Sequence, residues 1–504
     1  MRVLIFSVSA GGGHKNAAEA LAEEIQNRDP ESQVKVIDTI KYISPALDKL
    51  VIGTYLNSLK IYPNAFKALY AMSDISAEDD VFHLLTSKIQ EIIAEKLIPL
   101  INDFKPDILV STHPFTAFML HVIRSKFGLD TPNLVILTDY GSHSMWAHTE
   151  IDKYVVADEA MIPELTVRGV KWENVEPLGI PVRRSLKTHY DRETTLRKIG
   201  LDGGKKTITL MGGSLAMGNI KSLLLQIESI PGDFNIVVVA AKNKKLYDEA
   251  VEISLISKKS ITVLGYCNFI NSLMQASDLL ITKPGGLTVT EAMINGVPMA
   301  IFSAIPGQEA QNEKFLLRND LAFPLKSHED LKSIVEMILR DDPRLKAMSS
   351  RLKAKSKPDS TINIVNLLEN QLAEYRDKQA LGVPTLAWSE AAGNYNNGWL
   401  KQKLNEASSS LELDSRLDKW FLKLKSSLKG ETEGGSLEFS EASFEEGAFP
   451  QKPAVENPLT NRIFGLKNKL AKNRIWKRRL FKSASPKVSD AGSGRIEHPD
   501  LRIS

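Results

Sequence analysis

Short apolar runs alternate with amphipathic stretches along most of the chain, and the pattern breaks twice. Runs rich in Val, Ile and Leu stand at 3–8, 34–38, 108–111, 134–138 and 154–156, and residues 16–28 carry a helical period. Strands that are apolar throughout are buried on both faces, as in a parallel sheet covered by helices. Gly179-Ile180-Pro181 interrupts the pattern, which restarts with runs at 207–211, 235–240, 261–264, 279–282 and 299–302. Neighbouring runs lie roughly 20 to 40 residues apart, the length of a βαβ unit. A periodic helix at 362–375 is placed to close this second unit. The expected organisation is an α/β domain over 1–180, a second over 181–378, and an appendage over 379–504 from which strand-like runs disappear.

Composition narrows the class. The 504 residues are 43% hydrophobic and 25% charged, with a net charge of +3, so no overall field points to nucleic acid. The single cysteine, Cys267, excludes an internal disulfide and a cysteine-clustered zinc site, and suits a reducing cytosol. The apolar start at 1–6 is too short for a signal-peptide core, and no run approaches the ~20 apolar residues that cross a bilayer. Membrane contact is therefore expected to be peripheral. In the appendage, Leu413, Leu417, Trp420, Phe421, Leu424 and Leu428 share a helical face, and an acidic, glycine-rich stretch follows at 431–446. Residues 462–487 then hold ten Lys or Arg and no acid, interleaved with Phe464, Leu466, Ile475, Trp476 and Phe481. Such a segment is expected on anionic lipid, with ~1 kcal/mol of attraction per basic residue. A disordered solubilising tail and a nucleic-acid patch are the other readings; leucines and aromatics at helical spacing favour lipid.

Three glycine turns carry the candidate chemistry. Ser9-Ala10-Gly11-Gly12-Gly13-His14 joins the first strand to a helix, where glycines admit positive φ and bring helix N–H groups near an anion or a reacting oxygen. It has neither the Gly-Lys-Ser/Thr ending of a P-loop nor the spaced glycines of a dinucleotide fingerprint. An imidazole at a strand's carboxyl end is well placed as a base, which singles out His14. Gly212-Gly213-Ser214 repeats the device after the run at 207–211. The third signal is Thr282-Lys283-Pro284-Gly285-Gly286-Leu287-Thr288, with Glu291 about one helical turn further on. A diphosphate there would gain from the helix dipole, and Glu291 would reach a ribose diol. The loop Pro306-Gly307-Gln308-Glu309-Ala310-Gln311-Asn312 offers groups that read sugar hydroxyls, or simply a polar capping turn.

Together these residues resemble the monogalactosyldiacylglycerol synthase and processive diacylglycerol glucosyltransferase family, which is similar to the peptidoglycan N-acetylglucosaminyltransferase. The resemblance covers 1–378 and also rests on Thr138-Asp139-Tyr140 with His143 and Trp146, and on Gly179-Ile180-Pro181-Val182. It implies the GT-B architecture: two Rossmann-like domains facing across a cleft, the first for the lipid acceptor, the second for a UDP-sugar, with inversion at the anomeric carbon. Gly213 and Ser214 would touch the diphosphate, Gly286, Leu287 and Thr288 would supply backbone donors, and Pro284 and Gly285 form the turn that holds it. Gly265 and Tyr266 would flank uracil, Glu291 would hold ribose, Gln308 and Glu309 would hold the hexose, and Asn312 is a further substrate-binding residue of that loop. Gly12 and Gly13 belong to the acceptor side, and residues 47–70 would be its lipid-facing surface or core. Plant galactolipid synthases carry an acid just ahead of the triple glycine, where this chain has Ser9. His14 is the favoured base, with Asp139 and His143 as second choice. No Asp-x-Asp occurs, so the UDP-sugar is expected as a co-substrate without metal or other cofactor. The expected function is transfer of a hexose to diacylglycerol at the inner face of the cell membrane, without nucleic acid. Transfer of N-acetylglucosamine to an undecaprenyl-type carrier, or a non-catalytic nucleotide-sugar-binding paralogue, are the alternatives. Glucose, galactose and N-acetylglucosamine are not told apart.

Overall fold

The computed structural model describes residues 1–9, 12–43, 94–213, 216, 218–302, 304 and 307–381. Expectations for Gly11, residues 47–70, Ser214, Pro306 and the appendage beyond 381 lie outside the described residues.

The first set of apolar runs forms β1 (Arg2–Ser7), β2 (Gln33–Asp38), β3 (Ile108–Ser111), β4 (Asn133–Ile136) and β5 (Lys153–Val155), joined by the short edge strand β6 (Val175–Glu176). They make one parallel sheet in the order β2-β1-β3-β4-β5-β6. The second set forms β7 (Lys206–Met211), β8 (Phe234–Val239), β9 (Ser260–Leu264), β10 (Leu279–Thr282), β11 (Met299–Ile301) and the edge strand β12 (Phe323–Pro324). These too are parallel, in the order β12-β11-β10-β7-β8-β9. The two edge strands escape a periodicity reading because each has only two residues.

Strand order reverses between β1 and β3 in the first sheet and between β7 and β10 in the second. Ligands of open parallel sheets bind at such switch points, beyond the carboxyl ends of the strands. The turns with Gly12 and Gly13 after β1, with Gly213 after β7, and with Gly285 and Gly286 after β10 all leave strands that border a switch point.

One expectation is corrected. The periodic helix at 362–375 is the middle of a longer helix, Ser360–Ala380, which closes the first sheet rather than the second. Its Ile364, Val365 and Leu368 pack with Val3, Ile5, Leu21, Ile25, Ile108 and Leu134, and Gln371 donates to the Asn133 carbonyl at 3.1 Å. The chain therefore crosses between the halves twice, and the crossings are tied together. The Ser360 hydroxyl donates to the Ile180 carbonyl at 2.7 Å, and Thr361 binds the Val182 backbone. Gly179 sits between them at φ 95°, where a Cβ would come within 2.8 Å of Lys357. Among the described residues no helix is long and apolar enough to cross a membrane.

Candidate functional site

The first half contributes the ends of β1, β3 and β4. Gly12 caps helix Gly13–Arg28 at φ 82°, a left-handed conformation that favours glycine, and Gly13 has open space where a side chain would project. The Ser9 hydroxyl donates to the Asp38 carboxylate at the end of β2, so a carboxylate stands at this turn after all. The other Asp38 oxygen is buried and has no hydrogen-bond partner among the described residues.

His14 opens the helix, and its Nδ1 lies 2.7 Å from the Thr112 carbonyl and 2.7 Å from the Thr138 hydroxyl. A carbonyl only accepts, so Nδ1 carries the proton and Nε2 is left with the lone pair. Burial of the imidazole pushes its pKa below the ordinary 6.5, against the pull of the Asp139 carboxylate and the Thr112 carbonyl. The ring is therefore neutral at neutral pH, as a base must be. His113 packs edge-to-face on it, ring centres 4.5 Å apart, and burial, then His14 itself, keep His113 neutral as well. His143 spends its Nδ1 accepting from Met145 N at 3.2 Å, capping the short helical turn Ser144–Trp146. That turn buries Trp146, whose ring centre is 6.5 Å from that of His14.

The loop after β4 carries this cluster to the second half. Asn312 is fully buried: its Oδ1 accepts from Tyr140 N at 2.6 Å, and its Nδ2 donates to Asp139 at 2.8 Å and to the Pro284 carbonyl at 2.9 Å. The Tyr140 ring stacks on Phe315 at 4.4 Å and its hydroxyl meets Thr290 at 2.9 Å. A Cβ on Gly286 would lie 2.0 Å from the Thr138 carbonyl, so this glycine is demanded by the approach of the first half. Asn312, expected among the substrate-binding residues, instead has both N–H groups engaged inside the protein, as an internal contact between the halves.

In the second half, Gly213 turns at φ 71°, and among the described residues nothing lies within 4 Å of its would-be Cβ. Gly285 caps helix Gly286–Asn295 and likewise meets nothing within 4 Å among the described residues. The first N–H groups of a helix, here including Leu287 and Thr288, have no partner within it, and they are the usual cradle for an anion. Among the described residues no hydrogen bond or ion pair ends on the Glu291 carboxyl, and burial raises its pKa from 4.5 to about 7. Gly265 and Tyr266 follow the edge strand β9, with the Tyr266 ring 77% exposed. Gln308 and Glu309 open helix Gln308–Arg318, and Glu309 pairs at 3.0 Å with Lys283, which is buried.

A cavity of about 730 Å³ lined by Arg124, His148 and Tyr375 shares no residue with these turns. Among the described residues no group of three or more His, Cys, Asp or Glu is placed to hold a metal ion.

Residues 14–182 match the family model of monogalactosyldiacylglycerol (MGDG) synthase, and residues 191–355 that of glycosyl transferases group 1. A processive diacylglycerol beta-glucosyltransferase of Bacillus licheniformis is 28% identical over 382 residues, covering 75% of this chain and 97% of that protein. One of Bacillus pumilus is 29% identical over 354 residues, covering 70% and 90%. The chain is a glycosyltransferase, and each of its two halves is similar to a glycosyltransferase family. A solved structure from Listeria monocytogenes, described as a UDP-N-acetylglucosamine 2-epimerase, superposes with a TM-score of 0.50 at 14% identity, covering 74% of this chain and 97% of that one. That likeness concerns the fold, which is GT-B.

In this glycosyltransferase the residues that sequence reading missed are connectors. Thr112 and Thr138 orient His14, His113 walls it, and Lys283 brings a buried cation to the third glycine turn. Lys283, directly before Pro-Gly-Gly, and Thr138, directly before Asp139 and Tyr140, had a signal in the sequence; Thr112 and His113 had none.

Proposed function

We propose that the protein transfers a hexose from a UDP-sugar to the free hydroxyl of diacylglycerol, with inversion at the anomeric carbon. The relatives are named for transfer of glucose to diacylglycerol, which supports the acceptor class and favours glucose as the donor sugar. The observation that carries the chemistry is His14: a neutral imidazole whose Nδ1–H is tied to the Thr112 carbonyl, which leaves Nε2 to take a proton.

The acceptor oxygen attacks the anomeric carbon and its proton passes to His14 Nε2. The bond from that carbon to the diphosphate oxygen breaks, and its electron pair leaves with UDP. Donors fixed beforehand at the diphosphate stabilise the departing charge most effectively. The donors assigned here are backbone N–H groups of Gly213, Ser214 and Gly285 to Thr288, in the turn that Pro284 opens, with the Lys283 ammonium beside them. Glu291 takes the ribose diol, Gly265 and Tyr266 the base, and Gln308 and Glu309 the hexose. Asp139 supports the imidazolium that forms, and His143 shapes the acceptor side with Gly12 and Gly13. No step in this scheme asks for a metal. The lipid acceptor and the basic composition of 462–487 support a peripheral location on the cytoplasmic face of an anionic membrane.

The test is an assay of the full chain with labelled UDP-glucose or UDP-galactose and anionic vesicles containing diacylglycerol. Labelled glycolipid is expected, unchanged by a chelator, and reduced about 10²- to 10⁴-fold by His14→Gln. No labelled glycolipid with either donor would overturn the reading.

A further inference from the structure

Asp139 is a carboxyl group in a place that resists charge. It is buried, and burial pushes its pKa up, against the His14 ring and the Asn312 N–H. A buried carboxylate stays ionised only where donors meet it. Among the described residues the donor hydrogen-bonded to it is Asn312 Nδ2 at 2.8 Å, and Asn312 belongs to helix Gln308–Arg318 of the other half.

We infer that Asn312 is a positioning residue for the base: it reaches across from the second half to hold the Asp139 carboxylate beside His14, so that the charge partner of His14 is in place only when the halves are docked. This rests on His14 being the base of the proposed transfer.

The side chain suits that task closely. An amide has two N–H donors and a carbonyl acceptor, and here one N–H serves Asp139, the other the Pro284 carbonyl, while the oxygen takes the Tyr140 N–H. Asn312 thereby joins three things: the carboxylate at the base, the backbone next to that carboxylate, and the turn that precedes helix Gly286–Asn295. A carboxylate at position 312 would repel Asp139 and leave the Pro284 carbonyl without its donor. The other titratable groups facing the pair do not substitute for it. His113 is held neutral beside His14. The Tyr140 phenol is pushed up by burial and turned toward Thr290, while Asp158 behind it is paired with Lys355 at 2.6 Å. Lys283 is engaged by Glu309.

Docking is also enforced by contacts that do not touch the carboxylate: Tyr140 on Phe315 and Tyr140 to Thr290. This separates two roles that a single variant would confuse. Tyr140→Phe removes one docking bond and leaves the Asp139 donor; Asn312→Ser removes the donor.

The experiment follows the His14 imidazole by side-chain nitrogen NMR across pH in the full chain, with the resonance assigned from His14→Gln. In Asn312→Ser the His14 midpoint is expected to fall by about half a pH unit or more, roughly a threefold change in its protonation constant. Asp139 then protonates at higher pH and supports the imidazolium less. Tyr140→Phe should leave the midpoint in place. An unmoved midpoint in Asn312→Ser, or an equal shift in both variants, overturns the inference. Asp139→Asn keeps the test decisive if Asn312→Ser fails to fold: it too must lower the midpoint, and an unchanged value would remove Asp139 as the partner of His14. The titration needs no substrate, so its failure is separate from a failure of the transfer assay.

Discussion

The Glu291 carboxyl lies about one turn inside helix Gly286–Asn295, and with a pKa of about 7 it is half protonated at neutral pH. Only the ionised form accepts both hydroxyls of a ribose diol, so falling pH removes the binding form. KM for the UDP-sugar is expected to rise about fivefold between pH 7 and pH 6, and Glu291→Gln should raise it at pH 7 and flatten that dependence. A wild-type KM indifferent to pH over that range would remove Glu291 from the ribose. At this scale the sequence was a partial guide. Gly285 and Gly286 look interchangeable along the chain, yet one faces open space and the other faces the Thr138 carbonyl from the opposite half. Asn312 looked like a sugar contact because it follows Gln308 and Glu309. Its partner Asp139 is 173 positions away, a separation that no local spacing encodes.

Elements were more legible than residues. Apolar runs of three or more became strands because a parallel sheet buries both faces, and β8 is buried at every position. Helix Ser360–Ala380 was legible as a helix and misassigned as to its sheet. Periodicity reports that a helix has an apolar face; it does not report which of two sheets that face meets. The packing of Ile364, Val365 and Leu368 makes a direct prediction. Leu368→Ala should cost about 2 to 5 kcal/mol of stability, the range for emptying a fully buried leucine site. Urea unfolding followed by near-ultraviolet circular dichroism checks it, and a loss below half a kcal/mol would contradict the packing.

At the scale of the whole molecule, the two sheets present switch-point turns that the chain order does not reveal, and the segment that crosses back at 357–361 ties the halves at Pro177 to Val182. The basic stretch 462–487 carries the remaining prediction. Anionic liposomes should float the full chain at low salt and release it as salt rises above physiological strength, and a chain ending at 381 should float several-fold less. Equal flotation of the two would place membrane attachment elsewhere. The sequence by itself determined that this is a doubled α/β protein with glycine turns at strand ends and His14 at the first of them. Those properties depend on neighbours in the chain, through strand burial and the backbone freedom of glycine. Only the tertiary structure decided which glycine serves docking, which sheet the last helix covers, and that Asn312 serves Asp139. Each is a contact between distant segments, set by how the two sheets pack rather than by any pattern within one of them.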